Sequence, residues 1–217
     1  MIQIAPSILS CDFARLGEEV AAVRTAGADL LHVDVMDGHF VPNLSLGVPV
    51  VESLRKATDL FLDTHLMITD PLRYIEPFAK AGADLLTFHL ESNSDPNAVL
   101  EKIIQCGKRA GLAINPDTPF ERVIPYLDRL DLLLVMTIYP GFGGQKLMPE
   151  TLTKVQQAVA YRAEKGLHYR IEVDGGVNAD TAAMVAKAGA EILVAGSSVF
   201  GKADYAAAIA AIRDAAR

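Results

Sequence analysis

The 217-residue chain has no tryptophan and two cysteines, Cys11 and Cys106, too few for the disulfide framework of a small secreted scaffold. It opens on no apolar leader and contains no run of about 18 apolar residues, so the expectation is a cytoplasmic protein with no membrane partner. Basic residues are few: 20 Lys and Arg face 27 Asp and Glu, a net charge of −7, with no basic run. A general nucleic-acid surface is thereby excluded, and any anionic ligand must be held by local groups. Only 22% of residues are charged while 51% are hydrophobic, which excludes intrinsic disorder. No Ser/Gly-rich or Pro-rich linker divides the chain, so residues 1–217 are read as one domain.

What is present is repetition. Ala26-Gly27-Ala28-Asp29-Leu30-Leu31 returns as Ala81-Gly82-Ala83-Asp84-Leu85-Leu86 and as Ala188-Gly189-Ala190-Glu191-Ile192-Leu193. Glycine supplies the left-handed position that stops a helix, the acid occupies a short loop, and the apolar pair opens a buried strand. Eight strands are predicted: Gln3 to Ser7, Leu30 to Val35, Phe61 to Met67, Leu85 to His89, Leu112 to Asn115, Leu132 to Ile138, Arg170 to Asp174 and Ile192 to Ala195. Helical patterns separate them. Asp12 is the expected cap of the first helix, with Leu16, Val20 and Val23 on its inner face; Asp70-Pro71 is expected to open the third, with Leu72, Ile75 and Ala79 inward; the last runs from Tyr205 to Ala216. Eight such units in about 200–250 residues predict an α/β fold, a closed (β/α)₈ TIM barrel, with a doubly wound open sheet as the alternative.

In a barrel the chemistry belongs at the C-terminal strand ends. Side chains alternate along a strand, so His32, Asp34 and Met36 share the inner face while Leu31, Val33 and Val35 meet the helices; His65 and Met67 are inward on the next strand. His32, Asp34, His65 and Asp174 thus converge from three strands, a nitrogen and oxygen set suited to one divalent metal ion, Zn, Fe(II), Mn or Co. Asp63 and Glu172 lie deeper with the same parity and are read as paired groups beneath the site, Glu172 being placed to orient a metal ligand.

Glycines mark three successive strand ends: Pro140-Gly141-Phe142-Gly143-Gly144-Gln145, Gly175-Gly176 and Gly196-Ser197-Ser198. Close approach of bared amides there suits a phosphate, and the loops after the seventh and eighth strands are a recurring barrel phosphate site. Met36, Met67 and Met136 are placed as an apolar wall over a reactive carbanion or enediolate. No lysine lies within a predicted strand, which excludes imine chemistry on a barrel lysine. A metal, two carboxylates and a phosphate grip suit proton abstraction beside a carbonyl.

At these residues the chain resembles the ribulose-phosphate 3-epimerase family. The resemblance runs from Ala5-Pro6-Ser7-Ile8-Leu9-Ser10 through His32-Val33-Asp34-Val35-Met36-Asp37-Gly38, Asp63-Thr64-His65-Leu66-Met67, Pro140 to Gln145 and Glu172-Val173-Asp174-Gly175-Gly176 to Ala195-Gly196-Ser197-Ser198-Val199-Phe200-Gly201. It implies a metal-dependent isomerase that interconverts D-ribulose 5-phosphate and D-xylulose 5-phosphate, and a homo-oligomer between dimer and hexamer. Asp34 and Asp174 would be the acid/base pair on opposite faces of carbon 3, and His32, Asp34, His65 and Asp174 the metal ligands. Ser7, His65, Gly141, Phe142, Gly143, Gly144, Gly175, Gly176, Gly196 and Ser197 would bind substrate. Tyr139 stands where the pentose enzymes commonly carry Asn, and Asp117 where they often carry a small residue. An epimerase of a six-carbon ketose phosphate such as D-allulose 6-phosphate is therefore the alternative, and a non-catalytic phosphosugar-binding barrel a distant one. Decarboxylase and lyase relatives are disfavoured because Asp34-Val35-Met36-Asp37 lacks the lysine of their Asp-x-Lys-x-x-Asp pattern.

Overall fold

The structure, a computed structural model, describes residues 2–217. Eight parallel strands form one sheet in the order β1-β8-β7-β6-β5-β4-β3-β2. They are β1 (Gln3–Pro6), β2 (Leu31–Met36), β3 (Leu62–Met67), β4 (Leu85–His89), β5 (Arg109–Ile114), β6 (Leu132–Met136), β7 (Arg170–Asp174) and β8 (Ile192–Ala195). The edge strands meet again at a parallel bridge between Ser7 and His32, and at the other end through Asp29, whose amide donates to the Ile4 carbonyl at 3.1 Å. The sheet is therefore a TIM barrel, as the strand count predicts.

Around it lie α1 (Leu16–Thr25), α2 (Val48–Ala57), α3 (Ile75–Ala81), α4 (Pro96–Gln105), α5 (Leu152–Lys165), α6 (Ala182–Ala188), the single turn α7 (Ser197–Phe200) and α8 (Tyr205–Ala215). The crossover from β5 to β6 carries only 3-10 turns, Phe120–Arg122 and Ile124–Arg129. Pro119 and Pro125 bracket the intervening residues, and each lacks the N–H that an α-helical ladder would need. Two details of the third crossover differ from expectation. Asp70 makes no helix cap and instead accepts from Ser94 Oγ at 2.8 Å, so α3 starts at Ile75 after a 3-10 turn. That turn rotates Leu72 outward, while Ile75 and Ala79 are buried as predicted.

The threefold repeat has a structural reason. Gly27, Gly82 and Gly189 all stop helices with positive φ. The acid that follows reaches back to the preceding strand: Asp29 accepts the Ile4 amide at 2.8 Å, Asp84 the Leu62 amide at 2.8 Å and Glu191 the Ile171 amide at 3.1 Å. Each acid also pairs with an arginine from a helix, Arg213, Arg55 and Arg162 respectively. Asp131 repeats the amide contact at Ala110 without the glycine signature.

Strand parity separates two apolar layers. Leu31, Val33, Val35, Leu62, Leu66 and their counterparts pack against the helices, whereas Ala5, Leu30, Leu85, Leu132, Leu134, Ile192 and Val194 fill the barrel interior. On β2, β3 and β7 the interior positions are polar instead: His32, Asp34, Asp63, His65 and Glu172 are all buried. Burying such groups is costly unless they are paired or bind a cation, so these three strands carry the site.

Candidate active site

Register assembles the cluster. On the β2–β3 ladder His32 is opposite Asp63, Asp34 opposite His65 and Met36 opposite Met67; on β6–β7 Met136 is opposite Asp174. One donor atom from each of His32, Asp34, His65 and Asp174 lies within 4.8 Å of the others. His65 Nδ1 is 3.0 Å from Asp34 Oδ1, and His32 Nε2 is 3.3 Å from both. Asp34 Oδ2 accepts the Ser7 hydroxyl at 2.5 Å.

Hydrogen bonds behind the imidazoles decide which nitrogens face this centre. His32 Nδ1 donates to Asp63 Oδ2 at 2.6 Å, leaving Nε2 toward Asp34. A lone pair there, with Asp34 Oδ1 beside it, makes a group of acceptors that only a cation or a proton can satisfy. The donor set of two imidazoles and two carboxylates fits a borderline divalent metal, and it is this chemistry that the four residues can hold. Asp63, rather than Glu172, orients His32. Glu172 Oε1 stands 3.5 Å from His32 Nδ1, and neither Glu172 oxygen has a hydrogen-bond partner.

The two aspartates are driven apart electrostatically. Burial opposes ionisation of Asp34, but His32 and His65 beside it hold its carboxyl well below the usual carboxylate range. Asp174 is pushed up to about 7 by burial and by the negative charge of Asp34. His32 is held well above its ordinary value by Asp34 and Asp63 against the cost of burial, and His65 is lowered to about 4, chiefly by burial. Burial and the neighbouring Asp63 push Glu172 well above the carboxylate range.

Above the cluster opens a cavity of about 690 Å³. Ser7, Asp34, Asp174, Met36, Met67 and Met136 form its floor, and Gly141, Phe142, Gly143, Gly144, Gly175, Gly176, Gly196 and Ser197 its wall and rim. His32 and His65 lie beneath it, fully buried. Met36 and Met67 pack with Val41, whereas Met136 belongs to the barrel interior. Gly176 has φ +67°, and a Cβ there would collide with the Leu147 backbone; Gly175 has φ +126° and would collide with Ile138. The conformation that bares this turn toward the cavity is thus open to glycine alone. Ser197 opens α7, where first-turn amides have no acceptor inside the helix.

The mouth is tied together by loops. Asp37 accepts the amides of His39, Phe40 and Thr69, and Asn43 Nδ2 donates to the Gly141 carbonyl at 2.8 Å. Tyr139 and Asp117, the two departures noted in sequence, are exposed and lie outside the cavity lining. Sequence reasoning assigned no role to His89 and Glu91, yet His89 Nε2 is 2.8 Å from His65 Nε2, and its Nδ1 is 3.1 Å from Glu91 Oε2. Only the position of His89 at the end of β4 pointed toward the site.

A profile of the Ribulose-phosphate 3 epimerase family matches residues 3–200. The chain is 51% identical over 214 residues to the ribulose-phosphate 3-epimerase of Bacillus subtilis, covering 98% of this chain and 99% of that one. It is 53% identical over 211 residues to the enzyme of the same name from Mycobacterium tuberculosis, covering 97% and 91%. Among solved structures it is similar in fold to 3-hexulose-6-phosphate synthase from Salmonella typhimurium, with a TM-score of 0.73 at 17% identity over 99% of this chain and 98% of that one. A similar match, with a TM-score of 0.73 at 16% identity, is to 3-keto-L-gulonate-6-phosphate decarboxylase from Vibrio cholerae, over 100% and 96%. With a family match spanning the barrel and relatives near half identity along nearly their whole length, this chain belongs to the ribulose-phosphate 3-epimerase family.

Proposed function

We propose that the chain interconverts D-ribulose 5-phosphate and D-xylulose 5-phosphate by transferring a proton between the two faces of carbon 3. One observation carries this reading: Asp34 on β2 and Asp174 on β7 bring two carboxylates to the floor of one cavity, within reach of one another and of two imidazoles. Inversion of a planar enediolate needs an acceptor on one face and a donor on the other, because a single base that returns the proton to its original face regenerates substrate. Ionised Asp34 accepts the carbon 3 proton and protonated Asp174 delivers one to the far face; in the reverse direction they exchange roles.

The other residues bind, orient and exclude water. Ser7 fixes Asp34 Oδ2 and offers its oxygen to the sugar. Met36, Met67 and Met136 present an apolar floor that keeps solvent from the carbanion. The amides of Gly175, Gly176, Gly196 and Ser197 receive the phosphate, and Gly141, Phe142, Gly143 and Gly144 cover it. His32, Asp34, His65 and Asp174 would hold one divalent ion, Zn, Fe(II), Mn or Co, which when bound would supply positive charge to the developing oxyanion.

No helix among the described residues is long and apolar enough to cross a membrane. Both cysteines are free, in keeping with a cytoplasmic enzyme acting as one barrel domain. A homo-oligomer belongs to the same proposal and is read by light scattering on the purified protein.

The deciding experiment is proton NMR in D₂O with D-ribulose 5-phosphate, beside a parallel sample of D-allulose 6-phosphate. Formation of xylulose 5-phosphate with deuterium at carbon 3, and slower turnover of the six-carbon sugar, is the expected result. Exchange only with the hexulose phosphate would reassign the substrate. Absence of exchange in both after metal reconstitution would leave a binding barrel.

A further inference from the structure

Behind His65 runs a chain of polar groups, buried at His89 and half-buried at Glu91, that the reaction does not touch. His65 Nε2 meets His89 Nε2 at 2.8 Å, and His89 Nδ1 meets Glu91 Oε2 at 3.1 Å. Both oxygens of Glu91 are engaged, since Oε1 accepts the Asn115 amide at 2.9 Å and the Thr118 hydroxyl. The loop supplying those donors is itself fixed. Lys154 Nζ donates to the carbonyls of Asn115, Pro116 and Thr118 at 2.7, 3.0 and 3.0 Å. Phe40 packs on the His89 ring with centroids 4.8 Å apart.

With a cation on His65 Nδ1, these contacts have one consistent proton arrangement. Donors face both Glu91 oxygens, the Asn115 amide and Thr118 hydroxyl at Oε1 and the His89 ring at Oε2, so Glu91 serves as the acceptor at the end of the chain. In that arrangement His89 carries its proton on Nδ1, toward Glu91, and presents a lone pair at Nε2. His65 must donate from its Nε2 to that lone pair, and its Nδ1 is left bare, 3.0 Å from Asp34 Oδ1.

We propose that Glu91 and His89 are positioning residues that dictate the tautomer of His65, holding its Nδ1 lone pair toward the metal site. This mirrors Asp63 behind His32, with one more ring in the path. The inference rests on the metal assignment made above.

Glu91→Gln tests it with an isosteric change. Two donors converge on Oε1, so the glutamine carbonyl takes that place and its NH₂ faces His89 Nδ1. A donor there moves the His89 proton to Nε2, which in turn puts the His65 proton on Nδ1, where it opposes a cation. Zinc affinity is measured by competition with a chromophoric chelator, and the tautomers by two-bond ¹H–¹⁵N spectra of the zinc-loaded protein. The expected result is a loss of about 10- to 100-fold in zinc affinity for Glu91→Gln. In a His89→Phe background the same change should cost less than about twofold more, because the link is already cut.

Zinc affinity unchanged in Glu91→Gln, or lowered as much without His89 as with it, would overturn the proposal. So would a His89 proton found on Nε2 in the unaltered zinc-loaded protein, a result that needs no substitution to fold. Failure of the unaltered protein to bind zinc would remove the metal assignment and the relay together, whereas normal zinc binding in every variant would remove the relay alone.

Discussion

Asp63 and His32 are register partners on adjacent strands, and their side chains meet at 2.6 Å inside the barrel. The aspartate fixes the one imidazole nitrogen that does not face the metal site. Asp63→Ala should therefore lower zinc affinity about 10- to 100-fold, measured by chelator competition. Activity should return when zinc is supplied in excess, which distinguishes weakened binding from a collapsed site.

Replacement of Asp174 by Asn keeps the shape and one oxygen but removes the carboxyl that gives and takes the proton. Turnover should fall at least about 10³-fold, with a melting curve within a few degrees of the unaltered protein. Full activity of the Asp174→Asn variant would end the two-base assignment.

Metal uptake should depend on pH with a definite sign. In the metal-free protein Asp174 holds its proton up to about 7, and His32 holds one well above the ordinary histidine range. Asp174 can bind through its unprotonated oxygen, but the His32 proton must be released for the cation to bind, so apparent affinity should rise as pH increases through neutrality. Calorimetry in two buffers of different ionisation enthalpy should show net proton release; affinity that falls over this interval would contradict the assignment.

Glu172 offers a stability test. Its carboxyl is raised well above the ordinary glutamate value, chiefly by burial. A raised acid contributes stability that is fully present below the unfolded-state value and is lost as pH climbs through the folded one. Glu172→Gln cannot lose it that way, so its melting temperature should gain on that of the unaltered, metal-free protein as pH rises from about 4 upward.

Lys154 is buried with its ammonium on three carbonyls of the 115–118 loop. Lys154→Met leaves those acceptors unpaired and should destabilise by about 2–3 kcal/mol in chemical denaturation. A smaller loss of under about 0.5 kcal/mol would show that water replaces the ammonium without cost.

The metal cluster was readable because it lies within strands, where a period of two decides which side chains share a face: His32, Asp34 and His65 follow from parity alone. The relay was not, since Glu91 stands beyond β4 and its partners Asn115 and Thr118 come from a loop whose path no periodicity describes. The start of β5 was missed for another reason. Arg109-Ala110-Gly111 reads poorly as a strand, but Gly111 is there because a Cβ would collide with the Thr87 hydroxyl on β4. The general alternation of strands and helices does not hold at the fifth crossover, where prolines leave only 3-10 turns.

The edge strands of this sheet share no continuous ladder, and the bridge that joins them near the mouth is between Ser7 and His32. Those two residues also hold Asp34 and the metal site. Mechanical closure of the cylinder and placement of its chemical groups are consequently one event. Strain that pries β1 from β2 reaches the reacting carboxylate before it reaches the helices, so catalytic failure should announce the opening of the barrel ahead of any loss of secondary structure.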